Sequence, residues 1–277
     1  MTLAAGIPYR SMNSSFSSRI SRRSILATAV LPAFRLKAAE PTGLDLFLLI
    51  GQSNMAGRGV PEPADKQPID QVWSLGKSDE WGPAVDPLHF DKPDIAGVGI
   101  GRSFAKTLLT AAPAKKIGLI PSAFGGTSLE QWTPGGELYS NAVRRTKIAL
   151  RSGQLRGILW HQGEADSSKE SLASSYRERW TSFIESLRKD LGQGETPVVL
   201  GELGHFLYTR PDNPSPFAKQ VNEQLAMIPV SVARTVFVPS DGLVHKGDVV
   251  HFDTASLREF GRRYALGYRI LDPTWTS

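Results

Sequence analysis

The chain has 277 residues, 40% of them hydrophobic and 21% charged, which is enough to bury one sizeable core without covalent staples. It contains no cysteine, so disulfides, thiolate zinc sites and cysteine nucleophiles are excluded. The formal net charge of +5 is unevenly placed: residues 1–39 hold Arg10, Arg19, Arg22, Arg23, Arg35 and Lys37 and no acidic residue, and the remainder carries one more acidic than basic side chain. A nucleic-acid partner is therefore not expected, because phosphate binding needs a surplus of basic charge on the folded surface.

At the N-terminus, Ser21-Arg22-Arg23-Ser24-Ile25-Leu26 leads into an apolar stretch over 25–34. The six residues resemble the twin-arginine export signal of bacteria. About ten apolar residues are too few to span a bilayer as a helix, which takes roughly 20. Residues 1–39 are expected to be an export signal that delivers residues 40–277 to the periplasm or beyond. A basic tail on a cytoplasmic protein is the alternative. No later segment reads as a membrane span.

From residue 44 onward short apolar runs alternate with amphipathic stretches. Strands are predicted at 44–50, 117–122, 157–160, 198–201 and 236–239, with a weaker one at 71–75; all are short and poor in charge, as strands buried on both faces must be. Helical spacing marks 103–112, 137–151, 171–191, 217–227 and 257–270, the third carrying Leu172, Tyr176, Trp180, Phe183, Ile184 and Leu187 on one stripe. This alternation predicts an α/β fold: a three-layer α/β/α sandwich on a central, mostly parallel five-stranded sheet. No repeat or linker divides residues 40–277. Ligands of such sheets gather beyond the carboxyl ends of the strands, so chemistry is sought just after each one.

After the first strand stands Gly51-Gln52-Ser53-Asn54-Met55-Ala56-Gly57-Arg58-Gly59. A serine on a glycine-flanked strand-to-helix turn has an exposed hydroxyl and a backbone N–H turned the same way. A phosphate cradle is the rival for such a turn, but no Lys-Ser or Lys-Thr follows at P-loop spacing. After the strand at 117–122 stands Ser122-Ala123-Phe124-Gly125-Gly126-Thr127-Ser128, whose glycines allow close backbone approach and an N–H donor to an oxyanion. Trp160-His161-Gln162-Gly163-Glu164-Ala165-Asp166 follows the next strand; Gln162 could donate an amide N–H to the same oxyanion, with Glu164 anchoring it or the loop. Near the C-terminus Asp248 and His251 lie three residues apart before the last helix, where a carboxylate can hold an imidazole in one tautomer. His161 with Glu164, or His245 with His251, offers an incomplete metal set, and no metal or other cofactor is expected. Trp73, Trp81, Trp132 and Tyr139 could stack on sugar rings or fill the core.

These four blocks, in this order, strongly resemble the sialate O-acetylesterase-like family, which includes the family 6 carbohydrate esterases and is a branch of the SGNH hydrolases with a flavodoxin-like sheet. The similarity covers nearly all of residues 44–270. It implies Ser53 as nucleophile, His251 as general base and Asp248 as its orienting partner. It also implies an oxyanion hole of the Ser53 N–H, the Gly126 N–H and the Gln162 side chain. Gln52, Asn54, Arg58, Gly125 and Glu164 are implied to support the site. Ser122 and Phe124 stand where relatives often carry Cys and a smaller apolar residue. The implied activity is removal of O-acetyl groups from a carbohydrate (acetylated xylan, another polysaccharide or acetylated sialic acid) through an acetyl-enzyme. A non-catalytic carbohydrate-binding protein on the same fold, or a lipase or thioesterase of the SGNH group, is the alternative. Specificity is expected in the loops at 60–98 and 205–216.

Overall fold

The computed structural model describes residues 40–210, 212 and 214–275. The expected export signal lies outside the described residues. Residues 40–277 group as one compact unit.

The central strand β1 (Leu44–Gly51) is buried along its whole length. Its side chains alternate: Leu46, Leu48 and Ile50 enter one core and Phe47 and Leu49 the other, as a strand covered on both faces requires. β2 (Val72–Leu75), β3 (Trp81–Pro83), β4 (Ile117–Pro121), β5 (Gly153–His161), β6 (Val198–Gly201) and β7 (Thr235–Val238) complete a seven-stranded sheet of order β3-β2-β4-β1-β5-β6-β7. All pairings are parallel except β2 with β3. Without β2 and β3 the order is that of a flavodoxin-like sheet, with the reversal of winding at β1.

The sheet thus has seven strands where five are predicted. The weak stretch at 71–75 is a true strand beside β4, and β3 pairs with it as a three-residue edge. Trp-Gly-Pro carries neither a period nor β-propensity at its last two positions, and proline is tolerated there only because the strand is an edge.

Helices α3 (Glu137–Ala149), α5 (Tyr176–Leu191) and α6 (Ala218–Ser231) pack on one face, and α2 (Gly101–Ala111) and α7 (Thr254–Leu271) on the other. The helix predicted over 171–191 is two: α4 (Glu170–Ser174) ends at Ser175, whose ψ of 3° breaks the helical run before α5 begins. α6 runs past Pro229 into its last turn. Asp253 caps α7, its carboxylate accepting the Ser256 N–H at 2.7 Å. No helix among the described residues is long and apolar enough to cross a membrane.

Candidate active site

The short helix α1 (Ser53–Ala56) follows β1 directly. Gly51 has φ +131°, and a Cβ there would lie 2.1 Å from the His161 carbonyl oxygen, so only glycine lets the ends of β1 and β5 approach this closely. The Gln52 N–H donates to that same carbonyl at 2.9 Å, and the Gln52 side-chain oxygen receives long contacts from the Gly163 and Ala165 N–H groups. The serine turn is thereby locked to the 162–166 loop. Ser53 is the first residue of α1, so its N–H has no acceptor within the helix.

His251 reaches Ser53 from a loop pinned at its base, where His245 and Phe252 form an antiparallel bridge and the Lys246 N–H donates to the His251 carbonyl. Val249 in this loop has φ 55°, a left-handed conformation that a β-branched residue seldom adopts. The resulting turn lets Asp248 Oδ1 accept the N–H groups of Val250 (3.0 Å) and His251 (2.8 Å). Asp248 Oδ2 then lies 2.7 Å from His251 Nδ1, and His251 Nε2 lies 3.0 Å from Ser53 Oγ. A carboxylate only accepts, so Nδ1 carries the proton and Nε2 presents its lone pair to the serine hydroxyl. Burial pushes the Asp248 carboxyl up, but the two backbone N–H groups and the His251 ring outweigh it and hold it down at about 2.

Asn54 connects the two loops beneath the serine. Its amide nitrogen donates to Glu164 Oε1 (2.7 Å) and to the Val250 carbonyl (3.2 Å), while its oxygen accepts the Phe252 N–H (3.1 Å). The residues on either side of His251 are therefore held by one side chain. Glu164 is buried, which alone would raise its pKa; the His161 ring and the Asn54 amide more than offset this and keep it below the usual value.

The Arg58 guanidinium donates to Asp91 Oδ2 (2.6 Å) and to the Gly57 carbonyl (2.7 Å), while the Arg58 carbonyl accepts from Lys246 Nζ at 3.2 Å. Asp91 Oδ2 also accepts the Gly125 N–H at 2.8 Å. Gly125 is buried and Gly126 exposed, on a turn that the Phe124 N–H fastens to the Gly51 carbonyl at 3.0 Å. Asp91 carries no signal in the sequence, since it sits in an irregular loop with no period and no motif.

Gln162 is placed otherwise than expected. It is 0% exposed, and both hydrogens of its amide are spent, on the Thr127 carbonyl (3.0 Å) and on Asp166 Oδ2 (2.6 Å). Its oxygen faces the Tyr176 hydroxyl at 2.9 Å. No N–H of this side chain remains to meet an oxyanion, and the residue instead holds the 127 turn to the 162–166 loop. Trp132 and Tyr139 are core residues, and Trp73 and Trp81 pack partly against the core. Among the described residues no group of three His, Asp or Glu side chains is placed to hold a metal ion.

A groove of about 860 Å³ adjoins the serine turn through Asp91 and is lined also by His89, Phe90, the 121–124 segment, Thr127, Gln131, Asn141 and Arg144. A hydroxyl, an imidazole and a carboxylate thus stand in hydrogen-bonded series beyond the carboxyl ends of the parallel strands. The family model described as carbohydrate esterase, sialic acid-specific acetylesterase matches residues 43–269, and the chain belongs to that family. It is a carbohydrate acetylesterase by class, a carboxylic ester hydrolase. A probable carbohydrate esterase of Arabidopsis thaliana is 29% identical over 242 residues, 80% of this chain and 89% of that protein. The crystal structure of that Arabidopsis protein superposes with a TM-score of 0.74, covering 82% of this chain and 98% of the other. A carbohydrate acetylesterase from Xanthomonas citri shares the fold at 22% identity and a TM-score of 0.63, covering 83% of this chain and 57% of that one.

Proposed function

We propose that this protein is a serine esterase that removes O-acetyl groups from a carbohydrate through an acetyl-enzyme intermediate. The observation that carries the reading is the unbroken series Asp248 Oδ2, His251 Nδ1, His251 Nε2 and Ser53 Oγ, with separations of 2.7 and 3.0 Å. Ser53 attacks the ester carbonyl as His251 takes its proton, and Asp248 stabilises the imidazolium that forms. The Ser53 and Gly126 N–H groups receive the oxyanion; Gln162 is left out because its donors are occupied. His251 then protonates the departing sugar oxygen, and a water that it activates releases acetate. The sugar lies in the groove beside Asp91 and the 121–127 turn, and the acyl chain is acetyl. Acetylated xylan, other polysaccharides and acetylated sialic acid share the ester that this centre attacks. Residues 1–39 are read as a bacterial twin-arginine export signal.

The test is release of acetate from a panel of acetylated glycans, alongside aryl esters of increasing acyl length, by the wild type and by Ser53→Ala. Replacing the nucleophile is expected to lower kcat by about 10⁵-fold or more without loss of fold. Full activity of Ser53→Ala, or a preference for long acyl chains, would contradict the reading.

A further inference from the structure

We propose that Asp91 and Arg58 are positioning residues that hold the oxyanion turn at Gly125-Gly126 against the nucleophile, so that the loop carrying Asp91 sets the strength of transition-state binding. The proposal rests on the serine-esterase reading above, and adds a role for two residues outside the Ser53–His251–Asp248 series.

Three observations converge. First, the Arg58 and Asp91 side chains are each only 1% exposed and meet at 2.6 Å, with a second, longer contact at 3.5 Å between Arg58 Nη1 and Asp91 Oδ1. A buried two-pronged pair fixes direction as well as distance, which a single ammonium contact would not. Second, the same Asp91 oxygen accepts the Gly125 N–H at 2.8 Å, so the carboxylate is shared between the pair and the turn. Third, Gly125 is packed between the pair and the serine: a Cβ built there would lie 2.5 Å from the Arg58 guanidinium, 3.1 Å from Asp91 Oδ2 and 3.4 Å from Ser53 Cβ.

Arg58 is anchored to the serine turn itself, through the Gly57 carbonyl at 2.7 Å. The path is thus closed: serine turn to Arg58, Arg58 to Asp91, Asp91 to Gly125, and Gly125 back against Ser53. Gly126 follows at φ +85°, and its N–H direction is set by how the peptide before it is held. A donor aimed at the developing oxyanion contributes to rate only while it is held in place before the reaction. Without Asp91 the turn keeps the Phe124 contact but loses the one that orients Gly125. The groove wall formed by Phe90 and Asp91 belongs to the same loop, so the substrate-facing surface and the oxyanion turn share one support.

The test uses the full chain and the variant Asp91→Asn, with Arg58→Lys as a second variant that keeps the cation and loses the fork. Three quantities are measured: kcat and KM for acetyl ester hydrolysis, affinity for a small alkylboronic acid that forms a tetrahedral anion on the serine, and Tm. Asp91→Asn is expected to lower kcat by about 10²-fold, with KM changed less than threefold, and to weaken boronate binding by the same factor as kcat. Arg58→Lys is expected to lie between it and the wild type. A fall in Tm with kcat and boronate affinity unchanged would overturn the proposal, as would a loss in KM alone. If Asp91→Asn does not fold, the same criteria apply to Arg58→Lys. Ser53→Ala separates the two readings: an active Ser53→Ala defeats the esterase mechanism itself, whereas an inactive Ser53→Ala beside a fully active Asp91→Asn defeats only this one.

Discussion

Two histidine–carboxylate pairs with the same spacing sit within this site, and only one of them meets the serine. Asp248 and His251 stand on an exposed loop, with the carboxylate 36% and the imidazole 22% exposed; Glu164 and His161 are buried beneath. In the first pair the ring lies 2.7 Å from its carboxylate on one side and 3.0 Å from Ser53 on the other. In the second the ring is 3.6 Å from Glu164, and its other nitrogen faces the Tyr264 hydroxyl at 3.3 Å. The Glu164 oxygen is spent on Asn54, which in turn holds the residues flanking His251. Spacing along the chain therefore does not make a pair catalytic. What separates the two is the direction in which the turn aims the ring and whether its far nitrogen faces a reactive hydroxyl or the protein interior.

Substitution should break this contrast in opposite ways. The largest effect is expected for Asp248→Asn, which leaves the loop in place but allows the wrong tautomer: kcat should fall by about 10²–10⁴-fold with little change in Tm, measured by acetate release and thermal unfolding. Glu164→Gln should show the reverse balance. Removing a buried charge that organises Asn54 is expected to cost about 1–3 kcal/mol of stability, seen in urea unfolding, with kcat reduced about tenfold through a looser His251 loop. A Glu164→Gln enzyme that kept its stability but lost all activity would erase the distinction between the two pairs.

The smallest effect concerns pH. The Asp248 carboxyl is depressed in the folded protein to about 2 from an ordinary value of 3.8. A depressed carboxylate adds stability above its unfolded value, and that contribution is lost as pH falls through the folded one. The Tm difference between wild type and Asp248→Asn should hence be constant above about pH 4 and vanish as the pH falls from 3.8 towards about 2. Because the group is partly solvated, the shift should be small.

Much of this arrangement was legible in the sequence because parallel α/β sheets place chemistry immediately after strands. Ser53, Gly125, Gly126 and Glu164 closely follow buried, near-continuous apolar runs, whereas Asp248 and His251 stand in the loop before α7. Gln162 turns away from the oxyanion for a physical reason: where a buried amide points is decided by partners the local sequence does not reveal, here Asp166, Thr127 and Tyr176. Asp91 left no trace, since an irregular loop has no period to place it on a face of the sheet. β3 has no local signature, because a three-residue edge of Trp-Gly-Pro is defined by its pairing with β2 and by nothing within itself. Local patterns thus reveal which residues can react, and long-range contacts decide which way they face.

The central claim is that Ser53 becomes acetylated during turnover, and trapping that intermediate tests it most directly. Protein mixed with excess acetylated substrate and quenched in acid within the first turnovers should carry one acetyl group on the peptide that contains Ser53, and none when Ser53→Ala is treated identically. Steady release of acetate by the wild type, with no acetyl group on that peptide at any quench time and an equally active Ser53→Ala, would contradict the account.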